Sequence, residues 1–113
     1  MFTYSTRDKI SSEFAQDIKR ILSCEKIILF GSTARKDDRI SSDIDICIVG
    51  GVGSIEWDVR KLINDLVTDY LIEKEVLINW LYFTLKQWRT AKDPIINTIK
   101  REGRVLWEKE KIE

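Results

Sequence analysis

Two short apolar runs constrain this chain more than any other feature: KIILF at 26–30 and SSDIDICIVGG at 41–51, rich in β-branched residues and closed by Gly31 and by Gly50 and Gly51. Runs of this length and composition suit buried strands. The second run is unusual because it carries Asp43 and Asp45. Side chains alternate along a strand, so these two acids project to one face while Ile44, Ile46 and Ile48 project to the other. Two carboxylates held side by side repel, and burying an unpaired charge costs several kcal/mol, comparable with the whole stability margin of a domain. A cation between them is expected. With acids as ligands and no His or Cys motif, Mg²⁺ is preferred over zinc.

The rest of the chain supplies elements to cover such strands. Ile10, Phe14, Ile18, Ile21 and Leu22 recur at helical spacing behind a Ser5–Asp8 capping box, which predicts an amphipathic helix over roughly 6–24. Residues 32–37 are expected to wind one turn. Ile55, Val59, Leu62, Ile63, Leu66 and Tyr70 mark a long helix from near Ser54. EVLINWLYF at 75–83 reads as a third strand, and Thr84 with Gln87 forms a capping box for a short helix over Leu85–Arg89. Asp93 and Pro94 open a last helix with Ile95, Ile96 and Ile99 on one face and a stop near Gly103. The remaining RVLWEKEKIE gives a short docking segment and a charged tail. The order α, β, β, α, β, α predicts an α/β fold, a small mixed sheet with covering helices, in one domain over 1–113.

Composition narrows the chemistry. At 43% apolar residues with four Trp, the chain is far too hydrophobic for disorder, and zero net charge gives no global field to attract nucleic acid. The absence of histidine removes the usual imidazole base and the usual zinc ligand together. Cys24 and Cys47 have no metal-ligand spacing and no secretory leader beside them, and no apolar stretch is long enough for a bilayer, so a reduced, cytoplasmic chain without a membrane partner is expected. Trp57, Trp80, Trp88 and Trp107 read as core or partner-facing aromatics. The basic cluster from Lys86 to Arg104 reads as a solvated helix face, with an RNA-contacting adaptor as the functional counterpart. Exposed aromatics and an uncovered sheet edge make a homo-oligomer a further expectation.

The turn after the first strand complements the acids. Gly31 lets a ligand approach the backbone, and Ser32 offers a hydroxyl and an amide at the start of a turn, where amides favour anions. Gly-Ser alone is an ordinary turn, and Asp-x-Asp alone is ordinarily a solvated strand edge. Ten residues separate Ser32 from Asp43, with apolar strands around both, and the combination describes a site for a nucleoside triphosphate (NTP) and Mg²⁺. No Walker-type lysine is present, and an EF-hand starting at Asp43 would want Gly where Ile48 stands and Glu where Ser54 stands.

The segment FGSTARKDDRISSDIDICIV resembles the signature of minimal nucleotidyltransferases of the DNA polymerase beta superfamily, and a softer likeness runs from the first helix to REGRVLWE. The resemblance implies a polymerase beta palm-like fold, with Gly31 and Ser32 on the triphosphate and Asp43 and Asp45 on Mg²⁺. It further implies that a hydroxyl attacks the α-phosphorus and pyrophosphate leaves. Ala34 and Arg35 match the family wording, with Arg35 either touching phosphate or standing as a solvated loop charge, whereas Lys36 replaces the usual Gly. Active members place a third carboxylate on the next strand; counting back from Trp88, that position is Asn79, a neutral group that cannot take a proton. Glu75, four residues earlier and so about 13 Å away along a strand, is a poor substitute. Stand-alone members resemble the antitoxin half of a pair whose toxin is a helical HEPN-domain ribonuclease. Two readings follow: a Mg²⁺-dependent enzyme moving a nucleoside monophosphate (NMP) from NTP, with ATP the expected donor, onto an acceptor hydroxyl, the acceptor being such a partner; or a weakly active or inactive module that complexes that partner.

Overall fold

In the computed structural model, residues 4–34, 43–51, 53, 55–90 and 92–110 are described, with the backbone alone for Tyr4, Ser5, Ser32 and Thr33. The elements run α1 (Tyr4–Ile21), β1 (Cys24–Phe30), α2 (Gly31–Ala34), β2 (Ile44–Gly50), α3 (Trp57–Lys74), β3 (Ile78–Phe83), α4 (Leu85–Thr90), α5 (Pro94–Glu102) and β4 (Arg104–Glu108). The strands form one mixed sheet in the order β3-β2-β1-β4. β1 pairs antiparallel with β2 and β4, while β2 and β3 are parallel and joined by α3, the crossover that a parallel pair requires.

Strand alternation divides the core between the two faces of the sheet. Ile44, Ile46 and Ile48 pack with Ile27 and Leu29 against α1 and α3, where Phe14, Ile18, Ile63 and Tyr70 are buried. The opposite face buries Ile28, Cys47 and Val49 beneath Trp88 of α4 and Ile96 and Ile99 of α5. Tyr70 meets Phe14 edge-to-face and donates its hydroxyl to Asp17 Oδ2 at 2.7 Å, tying α3 to α1.

Two predicted caps are present. Thr84 and Gln87 exchange reciprocal bonds at the start of α4, at 2.9 and 3.1 Å, and Asp93 accepts from Ile95 N at 2.9 Å with Pro94 in the first turn of α5. Gly103 ends α5 as expected, with φ −71°, and a Cβ there would lie 2.5 Å from both Ile28 Cγ2 and Ile99 O. It is glycine because the chain passes too close to β1 for a side chain.

Several expectations are corrected. The first helix stops at Ile21, so Cys24 opens β1 instead of closing α1. The third strand begins at Ile78; Glu75 caps α3 in a left-handed conformation, φ 56°, its N–H bonded to Leu71 O, and therefore does not share a strand face with Asn79. Leu62 is 52% exposed, since Ile63 and Tyr70 hold the buried stripe of α3. The carboxyl-terminal docking segment is a true fourth strand, β4, and Arg104 at its start pairs with Asp8 of α1. The expected cap of α1 by Ser5 involves a side chain outside those described.

Candidate functional site

The strand register brings the predicted residues together. Asp45 lies opposite Phe30 of β1 on one side and opposite Asn79 of β3 on the other. Gly31 directly follows Phe30 with φ +75°, a conformation that glycine adopts without steric cost. A Cβ on Gly31 would sit 2.2 Å from Asp45 Oδ2, so the turn runs directly against that carboxylate. Asp43 is held at the mouth of β2 by the next residue, whose Ile44 N–H donates to Leu77 O at 3.0 Å. Below the turn, Ala34 is buried in the α1–α3 core and anchors the end of α2.

Asn79 sits between the acids. Its Nδ2 donates to Asp43 Oδ2 at 2.9 Å and, at a longer 3.4 Å, to Asp45 Oδ1. Asp43 and Asp45 are half-buried and Asn79 is exposed, because α4 and α5 roof the Cys47–Val49 end of this face and leave the other end open. Register places Asn79, the residue reached by counting back from Trp88, directly opposite Asp45. The amide's part as a donor to both acids had no signal in the sequence, since it depends on the β2–β3 pairing.

The donor set is selective. The two carboxylates offer only hard oxygen ligands with no imidazole beside them, which suits a cation such as Mg²⁺ that keeps positions for substrate oxygens. Cys47 shares the face but is fully buried in the cluster with Trp88, Ile96 and Ile99, and that burial pushes its thiol up to about 12. Among the described residues no group of three His, Cys, Asp or Glu side chains converges, so the two aspartates stand as a pair. Ser32 contributes its backbone to α2, with its side chain outside those described, and Arg35 lies outside the described residues altogether. A cleft of about 320 Å³ lined by Val49, Trp88 and Lys100 lies at the far end of β2 and is separate from this site.

Of the six basic residues from Lys86 to Arg104, three are engaged within the fold. Lys100 donates to Trp88 O and lies over its ring, Arg101 pairs with Glu102, and Arg104 pairs with Asp8. A continuous basic surface for nucleic acid is correspondingly reduced. Among the described residues no helix is long and apolar enough to cross a membrane.

Comparison with known proteins gives a consistent picture. The model of the family described as "Polymerase beta, Nucleotidyltransferase" matches residues 9–112. A candidate protein adenylyltransferase of Methanocaldococcus jannaschii is 38% identical over 84 residues, covering 74% of this chain and 78% of that protein. A second from the same organism is 29% identical over 97 residues, covering 84% and 93%. Among solved structures, a toxin–antitoxin crystallised with AMP-PNP superposes with a TM-score of 0.63 at 18% identity, over 88% of this chain and 74% of that one. A candidate nucleotidyltransferase from Sulfolobus solfataricus gives 0.60 at 20% identity, over 92% and 82%. At these identities the two structures speak to the fold.

Proposed function

This chain belongs to the polymerase beta nucleotidyltransferase family and is a nucleotidyltransferase, and from that premise we propose that residues 1–113, as one domain, transfer AMP from ATP to a hydroxyl on a partner protein. The observation that carries the site assignment is the convergence of Asp43 and Asp45 on Asn79, hard against the Gly31 turn. In this reading Asp43 and Asp45 are the ligands of Mg²⁺, which when bound neutralises charge developing on the phosphoryl oxygens. Gly31, with Ser32 and Arg35 beside it, holds the triphosphate. The acceptor oxygen forms a bond to the α-phosphorus as the bond from that phosphorus to the bridging oxygen breaks, and pyrophosphate carries the electron pair away. Asn79 directs its N–H groups at the acids and cannot accept the acceptor's proton, so that proton leaves by another route and transfer is slow for this chemistry.

Protein as acceptor is supported by the two relatives described as candidate protein adenylyltransferases, ATP by the AMP-PNP complex of a structural neighbour, and a partner by that neighbour's being a toxin–antitoxin. The partner proposed is a helical HEPN-domain protein, met in the cytoplasm, where the two unpaired buried cysteines belong. The amide bridging both acids also favours a second reading, a catalytically weak antitoxin-type module that complexes the same partner. Incubation with α-labelled ATP, Mg²⁺ and the partner separates them. Label transferred to the partner and lost in Asp43→Asn and Asp45→Asn supports the enzyme; tight association with no label, indifferent to both changes, refutes it in favour of the module.

A further inference from the structure

Asparagine is depleted in strands, and an exposed one on an edge strand serves no core, yet Asn79 stands directly opposite Asp45 and spans both acids with one amide. We infer that Asn79 is a positioning residue that clamps Asp43 and Asp45 together and thereby weakens the site's hold on a free divalent ion; this rests on the reading of those acids as the cation's ligands.

Two carboxylates aimed at one point repel, and a neutral group donating to each lowers the cost of holding them there without adding charge. The same N–H groups occupy lone pairs on Asp43 Oδ2 and Asp45 Oδ1, and a lone pair engaged by a donor is not offered to a cation at the same time. The clamp therefore competes with the ion while stabilising the arrangement the ion would otherwise have to enforce. A carboxylate at 79 would do the reverse: destabilise the acids when no ion is present and add a third negative ligand when one is.

The test uses the full chain with Mn²⁺ alone as probe, its binding followed by electron paramagnetic resonance and its effect on thermal unfolding compared with that of EDTA. Asn79→Asp should bind Mn²⁺ at least about tenfold more tightly than the wild type, melt lower in EDTA and gain more from Mn²⁺. Asn79→Ala, which adds no charge, should also melt lower in EDTA and lose the competition, binding Mn²⁺ about two- to fivefold more tightly. A merely structural residue would lower melting without changing the response to Mn²⁺. If both variants bind Mn²⁺ as the wild type does while Asp43→Asn and Asp45→Asn lose it, the clamp is refuted and the ligand assignment stands. If the aspartate variants also bind unchanged, the assignment falls and the clamp with it.

Discussion

Gly31→Ala isolates what the turn contributes. The substitution has two costs of different kinds. At φ +75° an L-residue is strained by about 1–2 kcal/mol. The new Cβ would also lie 2.2 Å from Asp45 Oδ2, well inside the 3.0 Å that real Cβ contacts respect, and this carboxylate is the mobile end of a short side chain. It will yield by leaving its place, at about 0.5–1.5 kcal/mol for an off-rotamer position, for a total of about 1.5–3.5 kcal/mol. The functional loss is larger than the stability loss, because displacing a positioned group by about 1 Å costs on the order of a hundredfold in rate. Gly53 is the internal control: its φ is +85°, but a Cβ there meets nothing within 4 Å. Urea denaturation should show both variants destabilised to within about 1 kcal/mol of each other, while AMP transfer by Gly31→Ala falls about a hundredfold and that by Gly53→Ala stays near wild type. Equal transfer by the two variants would refute the claim that the Gly31 turn is built around Asp45.

Three further outcomes follow from the same geometry. Glu75→Gly should raise stability by about 0.5–1 kcal/mol in urea denaturation, because glycine relieves the left-handed cap of α3, and should leave transfer unchanged, because Glu75 lies outside the site. Gly103→Ala should lose about 1–3 kcal/mol through the contacts at 2.5 Å with Ile28 and Ile99, with no backbone strain involved, and melting temperature would report it. Burial raises the thiols of Cys24 and Cys47 from 9.0 to about 11 and about 12. The folded protein thus binds protons that the unfolded chain releases, and stability is level up to about pH 9 and falls as pH rises toward 11 and 12, by at most about 1.4 kcal/mol per unit for each thiol. Denaturation at pH 8 and pH 11 checks this; a more stable protein at pH 11 would contradict it.

How much could be read in advance depended on the range of the interaction. Asp43, Asp45 and their shared face were legible because alternation along a strand is local, and the caps at Thr84 and Asp93 were legible because each is completed within three residues. β4 was not, since RVLWE has little alternation and becomes a strand only by pairing with β1, 75 to 82 residues earlier. Leu62 misled because the apolar stripe of α3 is wider in sequence than the surface available to bury it. Counting reached Asn79, but its pairing with Asp45 and its hydrogen bonds to two acids on a neighbouring strand follow from register alone.

The central claim, that Asp43 and Asp45 beside the Gly31 turn form a site for a nucleoside triphosphate with its divalent cation, is tested most directly by titration calorimetry with a nonhydrolysable ATP analogue. The account predicts binding that requires Mg²⁺ and is lost, by about a hundredfold or more in affinity, in either Asp43→Asn or Asp45→Asn. Binding of equal strength in Mg²⁺ and in EDTA, or binding that survives both substitutions, would contradict it.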